Sequence, residues 1–157
     1  MPRWDHGEVR ISPVTGSLSI PPATSLDGVT DAAQMLAADQ ASTALGIKAL
    51  ELQPGSALLE MTITGSMTNG HAIVHGGYVF LLADTAFACA CNYPGPVTVA
   101  ASAEIVFVSP AREGEVLTAR ASQRARYGRS GIYDVTVTAG DRLVAEFRGI
   151  SRTLAAT

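Results

Sequence analysis

Cysteine is nearly absent from this chain. Among 157 residues there are two, Cys89 and Cys91. Two positions apart on a helix, their side chains diverge and cannot readily bridge each other. They read as reduced thiols, small packing residues of a cytoplasmic protein rather than a disulfide framework. Lysine is scarcer still: ten of the eleven basic residues are arginine. No basic helix appears and the net charge is −3, which argues against duplex nucleic acid as a partner. No apolar run is long enough to span a membrane, because Asp84 splits the best candidate. A secretory leader is not expected, since Asp5 and Glu8 fall where its basic flank and apolar start would stand. A GxSxG element is missing too, so a serine hydrolase is not indicated.

What is present fits one globular domain. Hydrophobic residues make up 47% and charged residues 16%, and a chain of this length can bury a real core. Charge is unevenly placed. Residues 1–109 carry three basic and nine acidic side chains, and residues 110–157 carry eight arginines and five acids. That bias is open to two readings, a solvated strand surface or an arginine-lined surface for phosphates.

Residues 1–27 are punctuated by Pro2, Pro13, Pro21 and Pro22 and read as an extended or mobile arm. A short strand at 8–11 or 17–20 is weakly signalled. Residues 28–157 form the domain. Asp31, with Gln34 three residues on, resembles a capping box that starts a helix ended by Gly46. Strands follow at 46–52 and 56–65, turned by Pro54-Gly55. Met67–Val74 reads as a loop, and a long helix spans 76–92 before Tyr93-Pro94-Gly95-Pro96 stops it. Four strands follow. Alternation in 97–108 puts Val97, Val99, Ile105 and Phe107 on one face and Ser102 with Thr98 and Glu104 on the other. In 114–126 it puts Arg120, Arg124 and Arg126 together. Strands 131–139 and 142–152 are joined by Gly140-Asp141, glycine first, as a type II′ turn requires. The order predicts an α+β domain, its antiparallel sheet wrapped on one helix buried on every side.

The long helix, HGGYVFLLADTAFACACN from His75 to Asn92, carries one formal charge. A carboxylate in such a helix needs a partner or a task, and an ion pair with a C-terminal arginine is the plain alternative. At the helix start, Gly76 and Gly77 let a ligand approach the backbone, and first-turn N–H groups lack intrahelical partners. Such a terminus suits an oxygen that gains negative charge. Asn69 and His75 stand beside it as side-chain donors. Gly76 and Asp84 lie about 12 Å apart along one helix, too far to meet on one carbon atom. Two antiparallel copies about a two-fold axis could bring them together.

NGHAIVHGGYVFLLADTAFACACN, from 69 to 92, resembles the central-helix segment of PaaI-type hotdog-fold acyl-CoA thioesterases. The likeness runs from Gln34 to Arg152 and includes LGI at 45–47, YDV at 133–135 and FRG at 147–149. It implies the hotdog fold, a homodimer or homotetramer, an acyl-CoA substrate with arylacetyl groups foremost, and no cofactor beyond the coenzyme A of the substrate. It implies Asp84 as nucleophile or general base and the Gly76 N–H as the group polarising the thioester carbonyl. Asn69 and His75 would orient the thioester or the leaving thiol, and Ser102 would help place water or the carboxylate. Coenzyme A carries three phosphates. Arg112, Arg124, Arg126 and Arg129 are candidates to meet them, with Gly77 and Ser130 as further substrate contacts and the turn 127–131 as the favoured stretch. Each arginine can equally be a solvated surface charge. Tyr78, Leu81 and Leu82 could line an acyl pocket, although core packing explains them equally well.

His71 and His75, four apart, could with Asp84 hold a metal, but His71 precedes the helix and the Glu of an HExxH motif is missing, so no metal is expected. Two other functions fit the same site: a hotdog hydratase or dehydratase using His75 with Asp84, and a binding module for acyl-CoA without turnover.

Overall fold

The computed structural model describes residues 29–93 and 95–155. The arm at 1–27, with the strands expected in it, lies outside those residues. Strand β1 (Val29–Thr30) is followed by helices α1 (Ala32–Ala38) and α2 (Gln40–Ala44), then strands β2 (Lys48–Gln53) and β3 (Ser56–Thr62). After a 3-10 turn at Gly65–Met67 comes α3 (Gly76–Cys91), and then β4 (Gly95–Pro96), β5 (Thr98–Phe107), β6 (Val116–Tyr127), β7 (Ser130–Ala139) and β8 (Arg142–Thr153). Six strands form one sheet in the order β2-β3-β6-β7-β8-β5, antiparallel throughout. Among the described residues the strand β5 is thus an edge, and its only partner in this sheet is β8. The strands β1 and β4 pair separately. The sheet packs on α3, which agrees with the α+β expectation.

Packing explains why α3 lies where it does. The buried Phe87 ring meets Tyr133 at 5.4 Å and Phe147 at 5.9 Å between centroids, and Phe80 meets Phe147 at 5.4 Å. The Phe87 ring lies directly on the β8 backbone, because position 149 is glycine: a Cβ there would stand 2.9 Å from Phe87 Cε2 and Cζ. At the far end Asn92 clamps the helix to β5. Its side chain accepts from the Thr98 N–H at 2.9 Å and donates to the Thr98 carbonyl at 2.7 Å. The Gly140-Asp141 turn joins β7 and β8 with φ +57° at glycine, as expected.

Three features differ from the sequence reading. The helix from Asp31 is two helices. Asp39 bonds the Ala41 and Ser42 N–H groups through its side chain, and this local competition with the helix backbone breaks the run. Second, β5 and β6 each contain a bulge, between Ala100 and Ser102 and between Gln123 and Ala125. A bulge inserts one residue and exchanges the faces beyond it. Val99 therefore shares the outer face with Ser102 and Glu104, while Thr98 joins Ile105 and Phe107 toward α3. Likewise Arg126 faces inward and parts company with Arg120 and Arg124. Third, α3 is not buried on every side within one chain. Gly77, Leu81, Asp84, Ala88 and Cys91 form a stripe that stays partly or fully exposed. Among the described residues, no helix is long and apolar enough to cross a membrane.

Candidate active site

The segment before α3 is a tightly bonded loop. Asn69 closes it with its own backbone, which donates to the Ile73 carbonyl at 2.8 Å and accepts from the Ala72 N–H at 3.0 Å. The Asn69 side-chain oxygen accepts from the His71 N–H at 2.9 Å. With that oxygen committed, the Asn69 amide presents its N–H₂ as a donor. His71 is exposed and is ordered through its backbone. Ala72 holds φ +55°, a left-handed conformation that costs a side-chain-bearing residue about 1–2 kcal/mol. Val74 donates to the Ala111 carbonyl and His75 to the Met67 carbonyl, both at 2.8 Å, so the helix start is anchored on two sides.

His75 is the N-cap of α3. Its Nδ1 accepts from the Gly77 N–H at 3.0 Å. In the neutral ring the proton then belongs on Nε2, which makes His75 an outward donor. The cap also uses the Gly77 N–H, so Gly77, though exposed, offers a ligand no free bond, and the His75 ring stands 3.3 Å from where its Cβ would be. The Gly76 N–H makes no hydrogen bond among the described residues. It borders a cavity of 460 Å³ that Asn69, Val79, Phe107 and Val144 also line.

Asp84 lies two turns further along the half-exposed stripe, about 12 Å from Gly76 by helix rise. It has no ion-pair or hydrogen-bond partner among the described residues, so the arginine pairing weighed from sequence does not occur within the chain. Burial pushes its carboxyl above the usual range. Its neighbour Thr85 is tied down: the hydroxyl donates to the Leu81 carbonyl at 2.8 Å and touches the buried Ser42 hydroxyl at 3.1 Å. Tyr78 and Leu81 are partly exposed and Leu82 is fully buried, so Leu82 packs the core and lines no open pocket of the chain. Ser102 sits at the β5 bulge on the outer face, opposite Ile150, and does not meet Gly76 or Asp84 of its own chain.

The arginines do not form one cluster. Arg124 pairs with Asp134 at 3.3 Å, and Arg148 binds the same carboxylate through two bonds of 2.6 and 2.9 Å. Arg112 lies exposed before β6, while Arg126, Arg129 and Ser130 lie at the other end of that strand, roughly 40 Å away. Arg126 borders a cavity of 620 Å³ at the C-terminal end of α3, together with Cys91, Gln123 and Tyr133. Arg129 is exposed and Ser130 is buried. Burial raises the Cys89 and Cys91 thiols to about 11 and about 12, which suits packing residues and not nucleophiles. Sequence reasoning placed Phe107 in the apolar row of its strand and gave it no part in the site; the structure keeps it in that row and sets its ring beside Gly76, 54% exposed. No sequence signal carried that exposure.

The family model of the thioesterase superfamily matches residues 71–146. The chain is 42% identical over 120 residues to acyl-coenzyme A thioesterase PaaI of Escherichia coli, covering 76% of this chain and 86% of that one. Its fold is similar to the solved structure of the E. coli PaaI protein from the phenylacetic acid degradation operon, with a TM-score of 0.78, 41% identity, and 81% and 93% of the two chains covered. It is also similar in fold to a hypothetical thioesterase protein of Streptococcus pneumoniae solved with coenzyme A, with a TM-score of 0.66, 19% identity, and 69% and 89% covered. An antiparallel sheet on a central helix, an uncommitted N–H at that helix's start and identity at this level lead to one conclusion: the chain belongs to the thioesterase superfamily, as a PaaI-type thioester hydrolase of hotdog fold.

Proposed function

We propose that this chain hydrolyses acyl-coenzyme A thioesters, with arylacetyl groups such as phenylacetyl or hydroxyphenylacetyl foremost, at sites shared between two copies. The observation that carries the reading is the unpartnered Asp84 carboxylate on the open stripe of an otherwise apolar helix whose own N-terminus keeps a free N–H. One helix cannot bring the two together. A second, antiparallel copy laid on that stripe sets Asp84 of one chain against Gly76 of the other. The names of the relatives supply the acyl-coenzyme A and the link to phenylacetic acid.

In this scheme the Gly76 N–H, the Asn69 amide and His75 Nε2–H donate to the thioester, the first to the carbonyl oxygen as it gains charge. Asp84 either attacks the carbonyl carbon or takes a proton from the water that does. By the first route the C–S bond breaks to leave an acyl–Asp84 anhydride, which water then hydrolyses to free the acid and restore the carboxylate. By the second, the deprotonated water adds and the C–S bond breaks directly to the acid. In both, the proton of that water ends on the sulfur, so coenzyme A leaves as the thiol. No metal or further cofactor takes part. Ser102 reaches the site only through the assembly, where it would steady the water or carboxylate. Of the phosphate candidates, Arg126, Arg129 and Ser130 fit best, since Asp134 already engages Arg124; Arg112 stands apart. Residues 28–157 act as the catalytic domain and 1–27 as an extension of it, in a cytoplasmic dimer or pair of dimers. The hydratase reading needs a basic histidine. The N-cap bond makes His75 a donor instead.

The test is thiol release from phenylacetyl-CoA and hexanoyl-CoA by wild type and Asp84→Asn. The variant should lose about 10²- to 10⁴-fold in rate while its far-UV circular dichroism is unchanged. An equal rate in the folded variant removes Asp84 from the chemistry. A wild type that binds both compounds but releases no thiol favours the binding-module reading.

A further inference from the structure

The cavity beside Gly76 has a definite chemical character. Val79, Val108, Pro110 and Val144 give it apolar walls. Of its polar lining groups, the Ser109 hydroxyl is already spent on the Leu143 carbonyl. Asn69, whose amide N–H₂ is a donor, and Gly76, whose N–H makes no hydrogen bond among the described residues, line it as well. An apolar slot with two donors fits a carbonyl attached to an apolar group.

Phe107 is the one aromatic ring in this lining. It belongs to the helix-facing row of β5, opposite the fully buried Ala145, yet its side chain stays largely open. The ring stands on the helix start: a Cβ at Gly76 would come within 2.8 Å of Phe107 Cζ and 3.2 Å of Cε1. Phe80, Phe87, Tyr133 and Phe147 satisfy one another within the core, whereas no ring among the described residues touches Phe107. An open aromatic face beside the donors for a carbonyl is suited to a second flat ring, which packs offset or edge-on at 4.5–7 Å in ordinary aromatic pairs.

We propose that Phe107 is the specificity residue of this enzyme: its ring forms the wall on which the aryl part of the acyl group packs, so that aryl substrates are favoured over straight chains. The proposal rests on the thioesterase reading above and adds to it the residue that selects the acyl class.

The test compares kcat/KM for phenylacetyl-CoA and hexanoyl-CoA in wild type, Phe107→Leu and Phe107→Tyr, with the mass of each in solution. Phe107→Leu should lower the phenylacetyl-CoA value about three- to tenfold and leave hexanoyl-CoA within about twofold. Phe107→Tyr keeps a ring and should keep the wild-type ratio. Equal losses on both substrates in Phe107→Leu overturn the proposal. So does an unchanged ratio together with a fall in mass, which makes the ring a cover for the subunit interface. If the wild type itself releases no thiol from either substrate, the thioesterase reading falls and the proposal falls with it.

Discussion

Asp84 shows how one half-buried charge couples stability to activity. Burial disfavours its ionised form, so the folded chain holds that proton at pH values where the unfolded chain has lost it. The sign follows: this group favours folding in acid, and the contribution is lost as pH rises through the raised folded pKa. Asp84→Asn should therefore be more stable than wild type at neutral pH, with the gap closing in acid, as urea unfolding at two pH values will read. Thiol release has the opposite slope. The wild-type rate should climb as the carboxylate ionises, and the residual rate of Asp84→Asn should lack that limb. Loss of the limb without loss of fold would tie the titration to this one group. The role of His75 is set at the same scale. Its position before two glycines marked it in the sequence as a donor, but the bond from Nδ1 to the Gly77 N–H fixes which nitrogen remains to donate.

The elements were legible wherever their cause is local. The start and stop of α3, the Gly140-Asp141 turn and the Pro54-Gly55 turn rest on residues adjacent in the chain, and they fall where the sequence placed them. The faces of β5 and β6 were not legible, because alternation assumes a regular strand. A bulge adds one residue without changing the composition, and it sends Arg126 inward and Val99 outward. Asp39 hid for a similar reason: a helix-capping residue in the middle of a helical pattern looks like any exposed acid. Gly149 is another case, since its need arises only from a ring 62 positions earlier. Gly149→Ala would press a Cβ on Phe87, which Tyr133 and Phe147 hold in place. Overpacking of that kind should cost about 1–3 kcal/mol, and thermal unfolding should show it as a drop of several degrees in Tm.

For the molecule as a whole, the exposed stripe of α3 and the β5 edge pose one problem. The edge strand has ten residues, no lysine and no proline, and Val99 and Val106 on it are exposed. Bare edges of that kind invite pairing, and a two-fold copy supplies the partner of equal length. If the sites are shared in this way, two inactive variants can repair each other. Asp84→Asn mixed with Asn69→Ala after subunit exchange should regain roughly a quarter of the wild-type rate, because half the dimers are mixed and one site in each is intact. A mixture as inactive as its parts would place both residues in one subunit's site. The same edge has a consequence for synthesis. Among the described residues the only partner of β5 within the sheet is β8, so when Phe107 has been made the ribosome must still add 46 residues to reach Thr153. At about 5–20 residues per second the synthesis of β8 trails that of β5 by roughly two to nine seconds, and β5 leaves the ribosome before its sheet partner. During that interval the nascent chain presents a target for any chaperone that recognises extended apolar segments, and a stop anywhere before β8 would leave the strand in that state for good.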